Sequence, residues 1–431
     1  MKLWDKGYTT DNLVDRFTVG NDRILDLKLA KHDIKGNIAH AKMLHKIEIL
    51  TEKDLAAILD GLAQIQQTID DGTFTIEETF EDVHSKIEFE LVKLIGEAGK
   101  KIHTARSRND QVLVDLHLYV KEEIDTIKTL TKTLFDTLID LSEKHKDVLI
   151  PGYTHMQVAM PSSFGLWFSA YAESLIDDVI LLNAAQQISD QNPLGSAAGY
   201  GSSFPVDRTM TTELLGFKTM KYNVVAAQMS RGKLEKTTAF AMASVAGTLS
   251  KLSADVCLYM SQNFNFLGFP KELTTGSSIM PHKQNPDVFE LMRAKCNKLQ
   301  NMPSEIMMIT NNLTSGYHRD FQLLKENLMD GIDTLKDNLE VCNFMLQHVI
   351  IKDNILDNDI YDYLYSVEEV NKLVLNGVTF RDAYQKLGKE IMEGNFTPEK
   401  TVEHTHEGSI GNLCLNEIKA KFSEHYSLGN S

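Results

Sequence analysis

Apolar residues recur through the middle of the chain at steps of three and four. From Leu113 the run is Leu113, Leu116, Val120, Ile124, Ile127, Leu130, Leu134, Leu138 and Leu141. This spacing marks one face of a helix about ten turns long. A second run, Leu324, Leu328, Ile332, Leu335, Leu339, Cys342, Leu346 and Val349, keeps the same steps. Three further long helices are predicted at Ser162 to Asp190, Gly232 to about Phe264, and Pro286 to about Leu313. The last should be kinked at Pro303. Such helices exceed the usual length of about 11–12 residues. They read as one elongated bundle over roughly residues 106–355, with few alternating segments and no βαβ rhythm.

Proline usage agrees, since none of the nine prolines falls in residues 1–150 and proline is costly inside helices. The predicted fold is all-α with three helical domains. Residues 1–105 form an N-terminal helical domain, 106–355 a central long five-helix bundle, and 356–431 a small C-terminal helical domain. The segment Thr237 to Leu249 is apolar on most sides, as suits a helix buried all round. Identical chains are the simplest cover for it, so a symmetric homo-oligomer is expected. Two glycine-rich loops interrupt the helices, Leu194 to Gly201 and Thr274 to Pro286.

Charge narrows the function classes. Lys and Arg total 44 against 60 Asp and Glu, a net charge of −16, opposite to the basic excess of a nucleic-acid binder. No window approaches ~18 uninterrupted apolar residues, so no membrane-spanning helix is expected. Met1-Lys2-Leu3-Trp4-Asp5-Lys6 turns charged before any apolar stretch of signal-peptide length. Cys257, Cys296, Cys342 and Cys414 lie far apart without a CxxC. That spacing disfavours a disulfide framework or zinc-finger site and suits a reducing cytoplasm.

The densest chemistry lies in Gly276-Ser277-Ser278-Ile279-Met280-Pro281-His282-Lys283-Gln284-Asn285-Pro286. A serine is a weak base unless its alkoxide is stabilised, and a lysine with free backbone N–H groups can do this. A shorter Gly-Ser-Ser piece would read as an ordinary linker. Arg106-Ser107-Arg108-Asn109-Asp110 packs two arginines, a hydroxyl and an amide into five residues. Arginine grips carboxylates in a bidentate fork, and a helix start with Ser or Asn as cap also favours anions. Gly199-Tyr200-Gly201 lacks the third glycine of a dinucleotide site. Glu403-His404-Thr405-His406-Glu407 reads as a surface turn, because His at i and i+2 do not share a helix face.

The eleven-residue segment resembles the signature loop G-S-S-x-M-P-x-K-x-N-P of the fumarase/aspartase superfamily. His103-Thr104-Ala105-Arg106-Ser107-Arg108-Asn109-Asp110-Gln111 and Pro151-Gly152-Tyr153-Thr154-His155-Met156-Gln157 resemble blocks of its argininosuccinate lyase branch. The resemblance covers about residues 30–355 and implies an elimination that releases fumarate, here with L-arginine from argininosuccinate. The rivals are another fumarate-releasing lyase, such as adenylosuccinate lyase or aspartase, and a non-catalytic crystallin-like structural protein.

Roles follow from the resemblance. Ser277 would be the base, and Lys283 and Asn285 would bind the carboxylate on which charge builds. His155 would be the acid, paired with Glu290, with Thr154 donating to a substrate carboxylate. Ser107, Arg108 and Asn109 would contact substrate. Asp82 and His84, in Glu81-Asp82-Val83-His84, would lie near it. Tyr317, Gln322 and Lys325 match positions that hold the amino-acid end, and Arg231 aligns with a family arginine.

Departures are His318 for Asn, Leu323-Leu324 for Glu-Asp (read as packing changes), Gly232 for Asp and Asn37 for Ser. The opening Trp4-Asp5-Lys6-Gly7 also departs, and residues 17–26 show no counterpart of the family's early substrate-binding serine. The implied partners are the small-molecule substrate and three further copies in a homotetramer, with each site shared by three chains. Neither metal nor organic cofactor is called for, and the expected compartment is cytoplasmic. A local basic site of Arg108, Lys283, Lys325 and Arg231 is expected against the acidic whole. Arg108 and His155 lie some 60 Å apart along a straight helix hairpin at ~1.5 Å per residue, which also points to shared sites.

Overall fold

The computed structural model describes residues 11–428; the Trp4 to Gly7 opening lies outside the described residues. The chain starts with α1 (Asn12–Val19), the single turn α2 (Asp22–Leu25), α3 (Ala30–Lys46), α4 (Glu52–Asp70) and α5 (Val83–Ile95). Next come α6 (Arg108–Lys144), a hairpin of β1 (Leu149–Thr154) and β2 (Gln157–Ser163), and α7 (Phe164–Ser189). Short elements follow: β3 (Gln191–Asn192), α8 (Arg208–Leu214), β4 (Thr219–Met220) and α9 (Val224–Gln228). Then α10 (Lys233–Met260), β5 (Leu267–Gly268), α11 (Asp287–Thr310), α12 (Leu324–Gln347) and β6 (Ile350–Ile351) complete the long-helix region. Helices α13 (Ser366–Leu375), α14 (Phe380–Met392) and α15 (Leu415–Leu428) end the chain.

The five long helices form where the apolar spacing predicts them. Helix α6 runs unbroken for 37 residues. Every residue of its predicted stripe is buried except Leu130, which is half-buried. The stripe of α12 is fully buried from Leu324 to Leu346. Helix α11 continues through Pro303. The strands pair only in twos, β1–β2 and β5–β6 antiparallel and β3–β4 parallel. No helix among the described residues is long and apolar enough to cross a membrane.

Contacts divide the chain into two compact units. The first comprises Met1–Lys128, Leu181–Ser244 and Lys298–Lys336; the second comprises Thr129–Ile180, Val245–Asn297 and Asp337–Ser431. Each long helix therefore gives one part to each unit. The first unit packs α3, α4 and α5 around Leu29, Ile34, Leu44, Ile58, Leu62, Ile87 and Leu91, all essentially inaccessible. Helix α4 begins with a capping box in which Thr51 and Asp54 satisfy each other's backbone N–H groups. The second unit is built on an aromatic core, with Phe164, Trp167, Phe168 and Tyr259 in contact. Trp167 Nε1 and Tyr171 Oη both donate to Asp255, which satisfies the polar tips of those rings.

One close approach fixes the root of the β1–β2 hairpin. Gly165 lies in the first turn of α7, and Ser142 Oγ donates to its carbonyl at 2.6 Å. A Cβ there would meet Lys146 Cα at 2.5 Å and the Ser142 carbonyl oxygen at 2.9 Å. Both obstacles are backbone and cannot rotate away. Gly165→Ala is therefore expected to cost about 2–3 kcal/mol, seen as a lower urea midpoint, and an unchanged midpoint would refute this packing.

Candidate active site

The first unit holds a cavity of about 300 Å³. Its wall includes seven residues singled out in the sequence: Asp82, Arg108, Asn109, Arg231, Tyr317, Gln322 and Lys325. Asp22, Asp26, Glu81, Ser85, His103 and Arg319 also line it, and these were not assigned roles from the sequence. His103 opens the His103–Gln111 block, and Arg319 lies between the candidates Tyr317 and Gln322. Asp22 and Asp26 stand four apart, a spacing that puts side chains on one helical face.

The start of α6 aims the arginine-rich block. Ser107 Oγ accepts from the N–H of Asn109 at 3.3 Å, and the Ser107 N–H donates to Asp110 Oδ1 at 2.9 Å. Ser107 thus caps the helix and is absent from the cavity wall. Arg108 and Asn109, the next two residues, reach the cavity. Asp110 Oδ2 accepts from Gly195 and Ala197 at 3.2 and 2.9 Å, tying the Leu194–Gly201 loop to this helix end. Burial pushes Asp110 up to about 6.

The Glu81–His84 block splits across two layers. Asp82 caps α5, accepting from Ser85 N and Ser85 Oγ at 2.8 Å each. It also faces Arg108 Nε at 3.4 Å. Burial works to raise Asp82, but Arg108, His84 and the two Ser85 bonds outweigh it and hold it at about 2. His84 is buried behind this layer, with Nδ1 2.7 Å from Asp33 Oδ1. It does not line the cavity.

The far wall comes from the turn before α12. Arg319 pairs with Glu81 at 2.9 Å. Lys325 sits between Asp22 and Asp26 at 2.8 and 2.7 Å. Arg231 is spent inside the unit, donating to Glu235 Oε1 and the Phe321 carbonyl at 2.9 and 2.6 Å. His103 stays uncharged, since burial and then Arg106 and Arg108 lower it to about 4. Of the cations expected in a basic patch, Arg108, Arg231 and Lys325 line this cavity and Lys283 does not; Arg319 joins them, and Asp22, Asp26, Glu81 and Asp82 balance the four.

The second unit carries the remaining candidates. Thr154 and Gln157 pair across the hairpin, leaving His155 and Met156 as a two-residue loop. Both have left-handed φ, 53° and 59°, as a type I′ turn requires. His155 and Thr154 are exposed at this tip. The signature loop is closed at its base by Thr275 and Asn285. The Asn285 N–H donates to the Thr275 carbonyl at 2.9 Å, and Asn285 Nδ2 donates to the Gly276 carbonyl at 3.2 Å. Ser277 Oγ accepts from the N–H groups of Ile279 and Met280 at 3.3 and 3.1 Å. Lys283 and Glu290 are exposed. No ion pair or hydrogen bond joins His155 to Glu290 within the chain.

A family model described as lyase matches residues 6–300. Argininosuccinate lyase of Parabacteroides distasonis is 58% identical over 419 residues, 97% of this chain and 94% of the relative. The chain belongs to the argininosuccinate lyase family. The argininosuccinate lyase of Bacteroides fragilis is 56% identical with the same coverage. Among solved structures, EDDS lyase in complex with formate superposes with a TM-score of 0.76 at 18% identity, covering 98% of this chain and 91% of that one.

Departures from the argininosuccinate lyase pattern have local causes. Gly232 has φ 78°, and a Cβ there would lie 2.7 Å from Thr310 Cγ2. Asn37, in place of Ser, donates to Asp33 Oδ2 at 2.7 Å and accepts from Arg106 Nη2 at 2.6 Å. Leu324 is buried, as a packing change implies, but Leu323 is 61% exposed. The packing reading therefore holds for Leu324 and is corrected for Leu323, which points off the apolar face. His318 Nε2 lies 3.1 Å from the Thr314 carbonyl, within its own turn.

Asp33, His84 and Asp115 bring donor atoms within 4.8 Å of one another, the one such buried group among the described residues. Arg106 acts on both carboxylates and supplies positive charge beside them. Burial favours protonation of Asp33, but His84 and Arg106 prevail and hold it ionised. Burial, reinforced by Asp33, keeps Asp115 protonated well above the ordinary range. An unfolded aspartate loses its proton near pH 3.9, so above that pH the folded state binds the extra proton and stability falls as pH rises. Asp115→Asn is expected to cost within about 1 kcal/mol at neutral pH and to flatten this decline. Asp33→Asn should cost about 3 kcal/mol or more, by stranding buried positive charge. Urea unfolding against pH checks both, and an equal cost for the two variants would contradict the assignment.

Proposed function

We propose that the protein is a carbon–nitrogen lyase that reversibly splits argininosuccinate into L-arginine and fumarate, the last step of arginine synthesis. The observation that carries this reading is 58% identity with an argininosuccinate lyase over 97% of the chain. The cavity supports it. Arg108 Nη1 is buried without a hydrogen-bond partner, ready for a substrate carboxylate, and Asn109 stands beside it.

Ser277 acts as the base. As an alkoxide it takes the proton from the carbon beside a carboxylate, and the electron pair left behind spreads into that carboxylate. The Ile279 and Met280 N–H groups already directed at Ser277 Oγ favour its anionic form. Lys283 and Asn285 bind the carboxylate as its charge grows. The C–N bond then breaks, the nitrogen leaves with the bonding pair, and His155, oriented by Glu290, gives it a proton. Thr154 donates to a carboxylate. Ser107, by capping α6, and His84, by its place under Asp82, act as positioning residues. This elimination needs no electron transfer, so neither metal nor cofactor is invoked.

The chain works as a cytoplasmic homotetramer with sites shared between three chains, built from segments 1–105, 106–355 and 356–431. Ile180, Leu181, Phe240, Val341 and Phe344 support this, since all are 40–50% exposed on long helices and want cover. The absence of a His155–Glu290 contact within one chain also fits a shared site.

Purified protein is expected to release fumarate, followed by ultraviolet absorbance, from argininosuccinate and not from adenylosuccinate or aspartate. Ser277→Ala should lower the rate by about 10³-fold or more. Release from another substrate would overturn the specificity, and a fully active Ser277→Ala would overturn the base. Shared sites predict a second result: Arg108→Ala and Ser277→Ala, each nearly inactive, regain activity when co-expressed, because some mixed sites carry neither change. Light scattering should give four chains, and a monomer with full activity would end this model.

A further inference from the structure

The second unit holds a cavity of about 470 Å³ at the root of the β1–β2 hairpin, and none of its lining residues lines the cavity of the first unit. Its floor is apolar, made by Leu149, Ile355, Leu356 and Tyr365, which pack as one cluster. Its rim is acidic. Asp147, in the turn before β1, and Asp353 and Asp357, in the segment after β6, line it and are exposed. None of these three carboxylates is in an ion pair among the described residues. Lys400 is the one cation among the lining residues, and it is already met. Its Nζ pairs with Asp362 at 2.8 Å and donates to the Leu356 carbonyl at 3.2 Å. A cleft lined by one sign of charge concentrates the opposite sign from solution.

Tyr365 adds an independent sign of a ligand. It is 1% exposed, yet its hydroxyl has no hydrogen-bond partner among the described residues. Lys400 and Asp357, both on the cavity wall, act on that hydroxyl, which places it at the cavity. Burial lifts the phenol above its ordinary range against Lys400, with help from Asp357 and Asp362, so it keeps its proton and can both accept and donate. A buried hydroxyl left unbonded carries a cost that a bound partner removes. The spacing of the acids selects the kind of cation. Among the described residues, the one group of three such donors within 4.8 Å of one another is Asp33, His84 and Asp115. The three aspartates of this rim therefore stand too far apart to close on a single metal ion. A cation with its charges spread along an alkyl chain reaches more than one of them, while its methylenes cover the leucines. The cavity volume is that of a small-molecule site.

We propose that this cavity binds a linear aliphatic polyammonium ion. One ammonium donates to Asp357 and to the Tyr365 hydroxyl, the alkyl chain lies over Leu149 and Leu356, and a second ammonium meets the side of the rim carrying Asp147 and Asp353. Such a ligand is neither substrate nor product of the proposed lyase reaction, so the site stands apart from that reading. Each ammonium–carboxylate contact is a charge-assisted hydrogen bond, stronger than one between neutral groups.

Calorimetric binding to the full-length protein at low ionic strength, where such contacts are least screened, tests this with three probes. Putrescine carries two ammonium groups on a four-carbon chain, butylamine carries one on the same chain, and magnesium carries the same total charge at one point. The wild-type protein should bind putrescine at least about tenfold more tightly than butylamine, the scale of one charge-assisted hydrogen bond. Magnesium at equal concentration should not displace putrescine, because it gives up its water reluctantly and needs converging ligands. Asp357→Asn and Tyr365→Phe should each weaken putrescine by about tenfold. Glu424→Gln, which removes an exposed acid outside the cavity, should leave its affinity unchanged. Equal binding of putrescine and butylamine by the wild type, or displacement by magnesium, overturns the proposal whether or not any variant folds. An equal loss in Glu424→Gln would show general attraction to an acidic surface and overturn the site. Unchanged affinity in folded Asp357→Asn and Tyr365→Phe proteins would overturn the placement of the ligand. Fumarate release enters none of these readouts, so the lyase reading is judged separately.

Discussion

One buried carboxylate organises the first unit's site. Asp110 has no accessible surface, yet it holds three backbone N–H groups, from Ser107, Gly195 and Ala197. The first bond fixes where α6 starts, and so which way Arg108 and Asn109 leave it. The other two bring a glycine-rich loop from nearly ninety residues later against that helix end. Ala105, just upstream, has a left-handed φ of 64°, so the chain enters the helix through a conformation that L side chains resist. That strain persists because the capped helix determines what must follow. The arginine-rich block is therefore presented by a rigid helix end, the kind of support that binding residues need.

The second unit solves the same problem with a hairpin. His155 and Met156 occupy a turn usually given to Asn-Gly, and the backbone of both stands in the left-handed region. A strained two-residue tip has few alternatives once β1 and β2 are paired, so an exposed histidine is held in a defined place. Gly165 serves the same end from below, because the hairpin returns to α6 through a contact too tight for a methyl group. The signature loop is treated differently. Its base is pinned by Thr275 and Asn285, while its tip is open, with Ile279 83% exposed. A loop of this design can move as a unit without unpairing its ends.

Much of the fold was legible in the apolar spacing. Helices as long as α6 and α12 must keep one face inside over many turns, and this leaves a periodic record that local propensity cannot blur. The β1–β2 hairpin was not legible, because its turn lacks the glycine that usually announces one. The cavity residues inside motif blocks were found together, since α6 and the turn before α12 carry them as contiguous pieces. Asp22 and Asp26 escaped because their meaning lies in Lys325, about three hundred residues away in the chain. His84 reads as a site residue from its neighbours, yet about half a helical turn separates a cap that faces the cavity from a histidine that faces the core. A spacing of two residues on a helix means opposite sides.

The charge distribution explains how an acidic chain can hold a substrate rich in carboxylates. A strongly basic cavity would bind fumarate and argininosuccinate alike, and would bind other anions too. Here each cation on the wall already has a carboxylate partner: Arg108 has Asp82, Arg319 has Glu81, and Lys325 has Asp22 and Asp26. An incoming carboxylate must share those cations, so a simple dianion gains little. A ligand that brings its own cations as well satisfies both halves of each pair at once. Paired charges held in fixed positions cost little to reorganise and discriminate by pattern instead of by sign. On that argument the net charge of −16 is no obstacle, because recognition rests on matched neighbours inside the cavity and long-range attraction contributes little at physiological ionic strength.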